Sequence, residues 1–364
     1  MQSTRLQILL FATLLFLSSF PSQHQRAQTK KQRELDDRAA SVFEIRQTEK
    51  LLGVPVQTFP DPQGLTGFDE LPANRPAPQF TINEHSLTGP RPKYMYELRT
   101  TVKARAPDGS VYEAYSGRQE EDVIEDSAFA STAENTRQFY GTHHGYGYNP
   151  QDVYIGKRLG ARIKPALFFR DVGSHDTAPY HFAIDNKGMV HLIVADVNIF
   201  QRNRLDLYWV RGDLSSGKWT AAWLVDRRGF TSWSHPWSAA WADKVHGLWN
   251  WCDESVHKNA PGMGIIYLQW GPNGFGRKVR VVKGIPQSWD AAVDPQSGRL
   301  LLVYSNANGV FTTYRPETGT WRRPTVLKAG LRTTDAVSVS SGGDGTFIIR
   351  TGSEDTREWV VRPR

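Results

Sequence analysis

The chain has 364 residues, a formal net charge of +7, 39% hydrophobic residues and a single cysteine, Cys252. One cysteine excludes an internal disulfide framework, so stability must come from a packed core, for which this length is ample. The mild basic excess, 44 Lys and Arg against 37 Asp and Glu, permits an acidic partner, while the lack of a long basic run or a nucleic-acid motif argues against nucleic acid.

Arg5 is followed by an apolar run from Leu6 to Phe20 and then by small and polar residues to Ala27. This pattern predicts a signal peptide over 1–28, too short and wrongly flanked for a membrane span, and a secreted or periplasmic product with no span after cleavage. Residues 29–78 read as a polar segment with a helix over Glu34 to Leu52, then a stretch with prolines at 55, 60, 62, 72, 76 and 78. Such proline density prevents a helix or a central strand, which leaves a linker or surface arm. A composition shift follows, since all twelve tryptophans fall between Trp209 and Trp359.

From His181 onward one unit recurs: HFAID (His181 to Asp185), SAAWAD (Ser238 to Asp243), DAAVDP (Asp290 to Pro295) and DAVSVS (Asp335 to Ser340), each followed by an apolar strand. Turns such as Asp185-Asn-Lys-Gly188 and Asp294-Pro-Gln-Ser-Gly298 carry the Asp and Gly that tight hairpins use. Gly217-Lys-Trp219 and Gly319-Thr-Trp321 are matching hairpin tips, each followed by an aromatic expected to pack between blades. An earlier, looser unit starts at Leu98 and turns at Asp108-Gly109, before an excursion to about Arg170. Repeats of this length predict an all-β fold over 79–364, a β-propeller with five recognisable blades and room for six or seven. The chain ends soon after a third strand near Trp359, which would leave an unpaired edge. A strand near Gln79 to Asn83 is expected to fill it, so that an N-terminal arm closes the ring.

The line Asp-x-x-Gly-x-Val-His-Leu, present as Asp185 to Leu192, resembles the repeats of the sialidase-like, BNR-type β-propeller superfamily over about residues 96 to 364. That resemblance implies a propeller and a group containing sialidases, other glycosidases and polysaccharide lyases. No complete Asp-box is present, and Arg162-Ile-Lys-Pro165 interrupts the sialidase Arg-Ile-Pro signature, so sialidase activity is not implied.

Propeller sites lie where innermost strands begin. Aligning the repeats puts His181, Ser238, Asp290 and Asp335 at one position, with Trp237 and Trp289 just before two of them. The competing account is that these polar groups bond backbone N–H groups between blades. Candidate acid–base residues are His175, His181, His235, Asp290 and Asp335, because histidine titrates near neutral pH and can move a proton. Candidate ligand contacts are Arg99, which could grip a carboxylate, Asp176 beside His175, Trp237 and Trp289 as sugar platforms, and His143, His144, Tyr146 and Tyr148 in the densest His/Tyr/Gly segment. No metal-ligand spacing occurs, so neither metal nor cofactor is expected, and the chain is expected to act as a monomer. These residues point to a carbohydrate-active protein, a polysaccharide lyase or glycosidase using His/Tyr acid–base chemistry on an acidic glycan, or alternatively to a noncatalytic propeller that binds a glycan or protein.

Overall fold

The computed structural model describes residues 46, 49, 52–60, 67–86, 102–117, 124–125, 152–159, 162–169, 181–198, 204–226, 236–251, 264–284, 286–329, 337–351 and 357–364. Residues 1–48 and 49–364 cluster as two units, and the strands below belong to the second. Of the expected helix, Arg46, Glu49 and Leu52 are helical; Gly53 N–H closes its end on the Glu49 carbonyl at 2.8 Å.

The N-terminal arm carries three strands: β1 (Val56–Thr58), β2 (Asp69–Glu70) and β3 (Phe80–Ser86). The first sheet is built from β4 (Val102–Arg105), β5 (Val111–Gly117), β6 (Ile124–Glu125), β7 (Asp152–Leu159) and β8 (Arg162–Phe169). The second holds β9 (Phe182–Ile184), β10 (Met189–Asn198), β11 (Arg204–Asp213) and β12 (Lys218–Asp226). In the third are β13 (Trp237–Trp241), β14 (Lys244–Trp251), β15 (Gly264–Gly271), β16 (Gly274–Phe275) and β17 (Val279–Lys283). The fourth has β18 (Ser288–Val293), β19 (Leu300–Asn306), β20 (Gly309–Arg315) and β21 (Thr325–Ala329), and the fifth has β22 (Val337–Ser341), β23 (Phe347–Thr351) and β24 (Arg357–Pro363). The chain is therefore an all-β propeller, with five sheets among the described residues. The described strands of 120–172 complete the first sheet rather than forming further ones.

Each sheet runs outward from an innermost strand as an antiparallel meander, save that β6 of the first sheet pairs outside β8 and that edge strands from the arm are added, and the innermost strands β4, β9, β13, β18 and β22 touch in that order. The core lies between sheets, as radial stacking requires. Ile193, Trp209 and Val225 of the second sheet pack on Val245, Trp249 and Leu268 of the third. Leu248 and Tyr267 of the third meet Leu300 and Leu302 of the fourth, with Trp321 beside them as its hairpin position predicts. Gly247 is needed for this approach, because a Cβ there would lie 2.6 Å from both the Ile193 side chain and the Trp209 ring.

Closure follows the expected design. β3 pairs antiparallel with β24, from Phe80 opposite Pro363 to Ser86 opposite Arg357, so the arm supplies the outer strand of the last sheet. The arm does more than a linker would. β1 adds in parallel to β12 and β2 in parallel to β17, while Arg323 N–H bonds the Pro76 carbonyl at 3.0 Å beside the fourth sheet. Proline density does bar a central strand, and these additions are short edge strands, where a missing N–H costs no ladder bond. Phe59 anchors the first crossing: it is 4% exposed and meets Phe275 edge to face at 5.2 Å. Lys278, itself 1% exposed, lies 5.4 Å from the Phe59 ring centre and donates to the Val225 carbonyl at 3.1 Å. An ion pair between Arg280 and Glu70 fixes the second crossing.

Candidate functional site

Strand alternation sorts the connections onto two edges. Innermost strands begin at one, here termed the leading edge, and from it leave 118–123, 199–203, 227–236 and 252–263, among others, while β6 runs from it to the turn edge beside the start of β8. The opposite, turn edge carries tight hairpins such as 106–110, 185–188, 242–243, 294–299 and 342–346. Aspartates order several of these turns. Asp185 Oδ1 accepts N–H groups from Lys187 and Met189, both at 2.9 Å; Asp294 Oδ2 accepts from Ser297 at 3.0 Å. Asp108 and Asp344 do the same from the third turn position, toward Ser110 and Thr346.

Of the aligned repeat residues, His181, Ser238 and Asp290 are described, whereas Asp335 lies outside the described residues, as do Arg99, His143, His144, Tyr146, Tyr148, His175, Asp176 and His235.

Polar residues of the described innermost strands bind neighbouring strands. Asp290 Oδ2 accepts the Val339 N–H of the next sheet at 2.9 Å, and its Oδ1 accepts the N–H of Ala291 at 2.9 Å. Ser288 Oγ accepts the Val337 N–H at 3.1 Å, and Ser238 Oγ donates to the His181 carbonyl at 3.1 Å. Two backbone donors give the Asp290 carboxylate a structural role. Trp237 and Trp289 are 4% and 5% exposed, so their faces belong to the core between sheets and not to open sugar platforms. His181 remains half-buried at the leading edge, its ring 6.4 Å from that of Trp237.

A histidine–carboxylate pair does exist, between residues that are not sequence neighbours. His191 Nε2 lies 3.2 Å from Asp185 Oδ2, and Trp209 Nε1–H donates to His191 Nδ1 at 3.0 Å. The indole occupies the Nδ1 lone pair, which places the ring proton on Nε2, pointing at Asp185. Burial holds the His191 imidazole below its ordinary value, against the pull of Asp185. Burial alone would raise the Asp185 carboxyl, but hydrogen bonds from His191, Met189 and Lys187 outweigh it and keep it low. Since His191 is 0% exposed, the pair orders the sheet and does not face a substrate. The motif Asp185 to Leu192 held this signal, with the two partners six positions apart.

His246 occupies the same place in the third sheet. Its Nδ1 is 2.7 Å from the Tyr267 hydroxyl, which in turn donates to Gln269 Oε1 at 3.1 Å, so His246 carries its proton on Nδ1. Among the described residues its Nε2, a buried acceptor, has no partner. Burial, helped by the positive charges of Arg315 and Lys244, lowers His246 to about 3, and burial pushes the Tyr267 hydroxyl up. Among the described residues no group of three His, Cys, Asp or Glu side chains could hold a metal ion, and no helix is long and apolar enough to cross a membrane.

No family model and no curated protein matches the chain. Among solved structures it is similar to a prolyl endopeptidase, with a TM-score of 0.33 and 14% identity over 56% of this chain, spanning only 29% of that one. It is similar also to the β-propeller domain of the trilobed protease from Pyrococcus furiosus, with a TM-score of 0.38, 9% identity and coverage of 72% and 68%. A third likeness is to the six-bladed fucose-recognising lectin of Aleuria aurantia, with a TM-score of 0.34, 15% identity and coverage of 70% and 72%. At such TM-scores none of these likenesses assigns an activity or a ligand to this chain.

Proposed function

We propose that this chain is an exported, carbohydrate-active propeller protein that meets an acidic glycan at its leading edge. The observation that carries this reading is topological: the connections 170–181, 227–236 and 252–263 join strand ends of the leading edge, whereas the turn edge carries mainly short hairpins apart from 272–278 and 316–324. His143, His144, Tyr146 and Tyr148 fall between the turn-edge end of β6 and the leading-edge start of β7, while His175 and Asp176 before β9 and His235 before β13 fall in segments bounded by strand ends of the leading edge. Arg99 precedes β4 in the same way and suits the carboxylate of a uronate.

Lyase chemistry is favoured over hydrolysis. Hydrolysis needs two carboxyl groups facing across the bond; of the carboxylates Asp176, Asp290 and Asp335, Asp290 already accepts two backbone N–H groups. A lyase needs a basic side chain to take the C5 proton and an acid to protonate the leaving oxygen, roles open to His175, His181, His235 and the tyrosines. The noncatalytic reading is supported by the burial of Trp237 and Trp289 and by the structural use of Asp290 and Ser238.

Incubation with alginate and polygalacturonate, following absorbance of the unsaturated product, separates these readings. Product that disappears in His181→Ala or His175→Ala supports the lyase, whereas reducing ends without it indicate hydrolysis. Binding without turnover supports the recogniser. Failure to bind or convert any acidic glycan would overturn the proposal.

A further inference from the structure

The turn edge of the fourth and fifth sheets carries an arginine cluster that no part of the reading above uses. Arg299 leads into β19, Arg315 ends β20, Arg322 and Arg323 lie between β20 and β21, and Arg364 follows β24. Arg75, on the arm, joins them by donating through Nη1 to the Arg322 carbonyl at 3.1 Å. The strand ends place the first five at one edge, and contacts tie them together. Arg299 Nη1 donates to the Pro363 carbonyl at 2.8 Å, Tyr314 OH donates to the Arg364 carbonyl at 2.9 Å, and the Arg322 guanidinium lies 5.9 Å from the Tyr314 ring centre.

Among the described residues none of these six guanidiniums has a carboxylate partner. Arg75, Arg299 and Arg315 donate to main-chain carbonyls, Arg364 Nε donates to Thr81 Oγ1 at 3.0 Å, and Arg315 also lies over the Tyr267 ring. The neighbouring acids change little. Asp344 is taken by Arg362, and the Asp294 oxygens receive Ser297 and Ser341, which leaves Glu317 as one exposed carboxylate in the sector. Four guanidiniums are half-buried, and those of Arg323 and Arg364 are exposed.

We propose that this arginine cluster is a docking surface for a polyanionic polysaccharide, one bearing carboxylate or sulfate groups, on the edge opposite the proposed leading-edge site. A guanidinium has five N–H donors, so a single bond to a carbonyl fixes its plane and leaves a fork for an oxyanion. Six arginines and no lysine match planar oxyanion recognition better than diffuse charge attraction does. An anionic membrane would call for an apolar stripe beside the cations, yet the described exposed aliphatics nearby, Ile82 and Val326, stand singly on separate strands. A single-stranded nucleic acid would call for an aromatic platform, and Tyr314 and Trp321 are buried.

The test uses the full chain over immobilised heparin and polygalacturonate at several salt concentrations, with phosphatidylserine vesicles and DNA as further arms. The variant Arg323→Gln/Arg364→Gln is compared with Lys187→Gln/Lys218→Gln, which removes equal charge from exposed residues elsewhere on the same edge. Loss of two exposed oxyanion contacts is expected to weaken polysaccharide binding roughly fivefold to tenfold, with the lysine variant unchanged. Equal weakening in both variants, unchanged binding in the arginine variant, or binding confined to vesicles or DNA would overturn the proposal. Activity or recognition at the leading edge is expected to survive the arginine variant, so failure of one site is distinguishable from failure of the other.

Discussion

Because His246 is held neutral inside the third sheet, the fold should lose stability in acid through this residue. The imidazole titrates near 6.5 in the unfolded chain and at about 3 in the folded one. Below pH 6.5 the unfolded chain therefore takes up a proton that the native protein refuses, and stability present at neutral pH is lost as the pH falls toward 3. Each pH step in that window costs about 1.4 kcal/mol, so moving from pH 7 to pH 5 removes roughly 2 kcal/mol. His191, also lowered by burial, adds in the same direction. The assay is urea unfolding followed by tryptophan fluorescence at both pH values, for the natural chain and for His246→Asn, whose amide N–H takes the place of Nδ1–H toward the Tyr267 hydroxyl. The variant should be less stable at pH 7, yet its loss between pH 7 and pH 5 should be smaller by roughly 2 kcal/mol. An identical acid loss in both proteins would refute the assignment of a neutral, buried His246.

Further outcomes follow from the packing. Phe59→Ala opens a cavity where the arm crosses from the second sheet to the third and should cost about 3–5 kcal/mol in thermal or urea unfolding. Asp290→Ala orphans the Val339 N–H and should cost about 1–3 kcal/mol while leaving any glycan turnover unchanged, which steady-state kinetics on the folded variant would check. Gly298→Ala puts a Cβ 2.4 Å from the Trp241 ring at a φ of +64°, so its unfolding midpoint should fall sharply. Ala242 sits at a φ of +52° in the tight β13–β14 turn, and Ala242→Gly should raise stability by about 0.5–1 kcal/mol.

Much of the architecture is legible because hairpins impose local chemistry. Asp185 and Asp294 mark the first residue of their turns, Gly188 and Gly298 supply positive φ, and the tip before Trp321 announces a core aromatic. The unpaired edge of β24 called for the strand that β3 provides. Which neighbour a repeat residue faces is hidden in the local pattern: the repeat aligns Ser238 with Asp290, yet Ser238 bonds back to the second sheet and Asp290 forward to the fifth. Burial of Trp237 and Trp289 is equally hidden, because a tryptophan reads alike on a core face and a ligand face until neighbouring sheets are in place. The parallel additions of β1 and β2 depend on the outer edges of distant strands, which no local pattern encodes.

Closure by the N-terminal arm is the claim on which every placement rests, and cysteine cross-linking tests it directly. Asn83 lies opposite Val360 in the β3–β24 register. In a Cys252→Ser background, Asn83→Cys/Val360→Cys should form an intramolecular disulfide under mild oxidation and should unfold at higher denaturant than its reduced form. Cross-linking that occurs only between molecules, or not at all in the folded protein, would contradict the ring and the two edges defined from it.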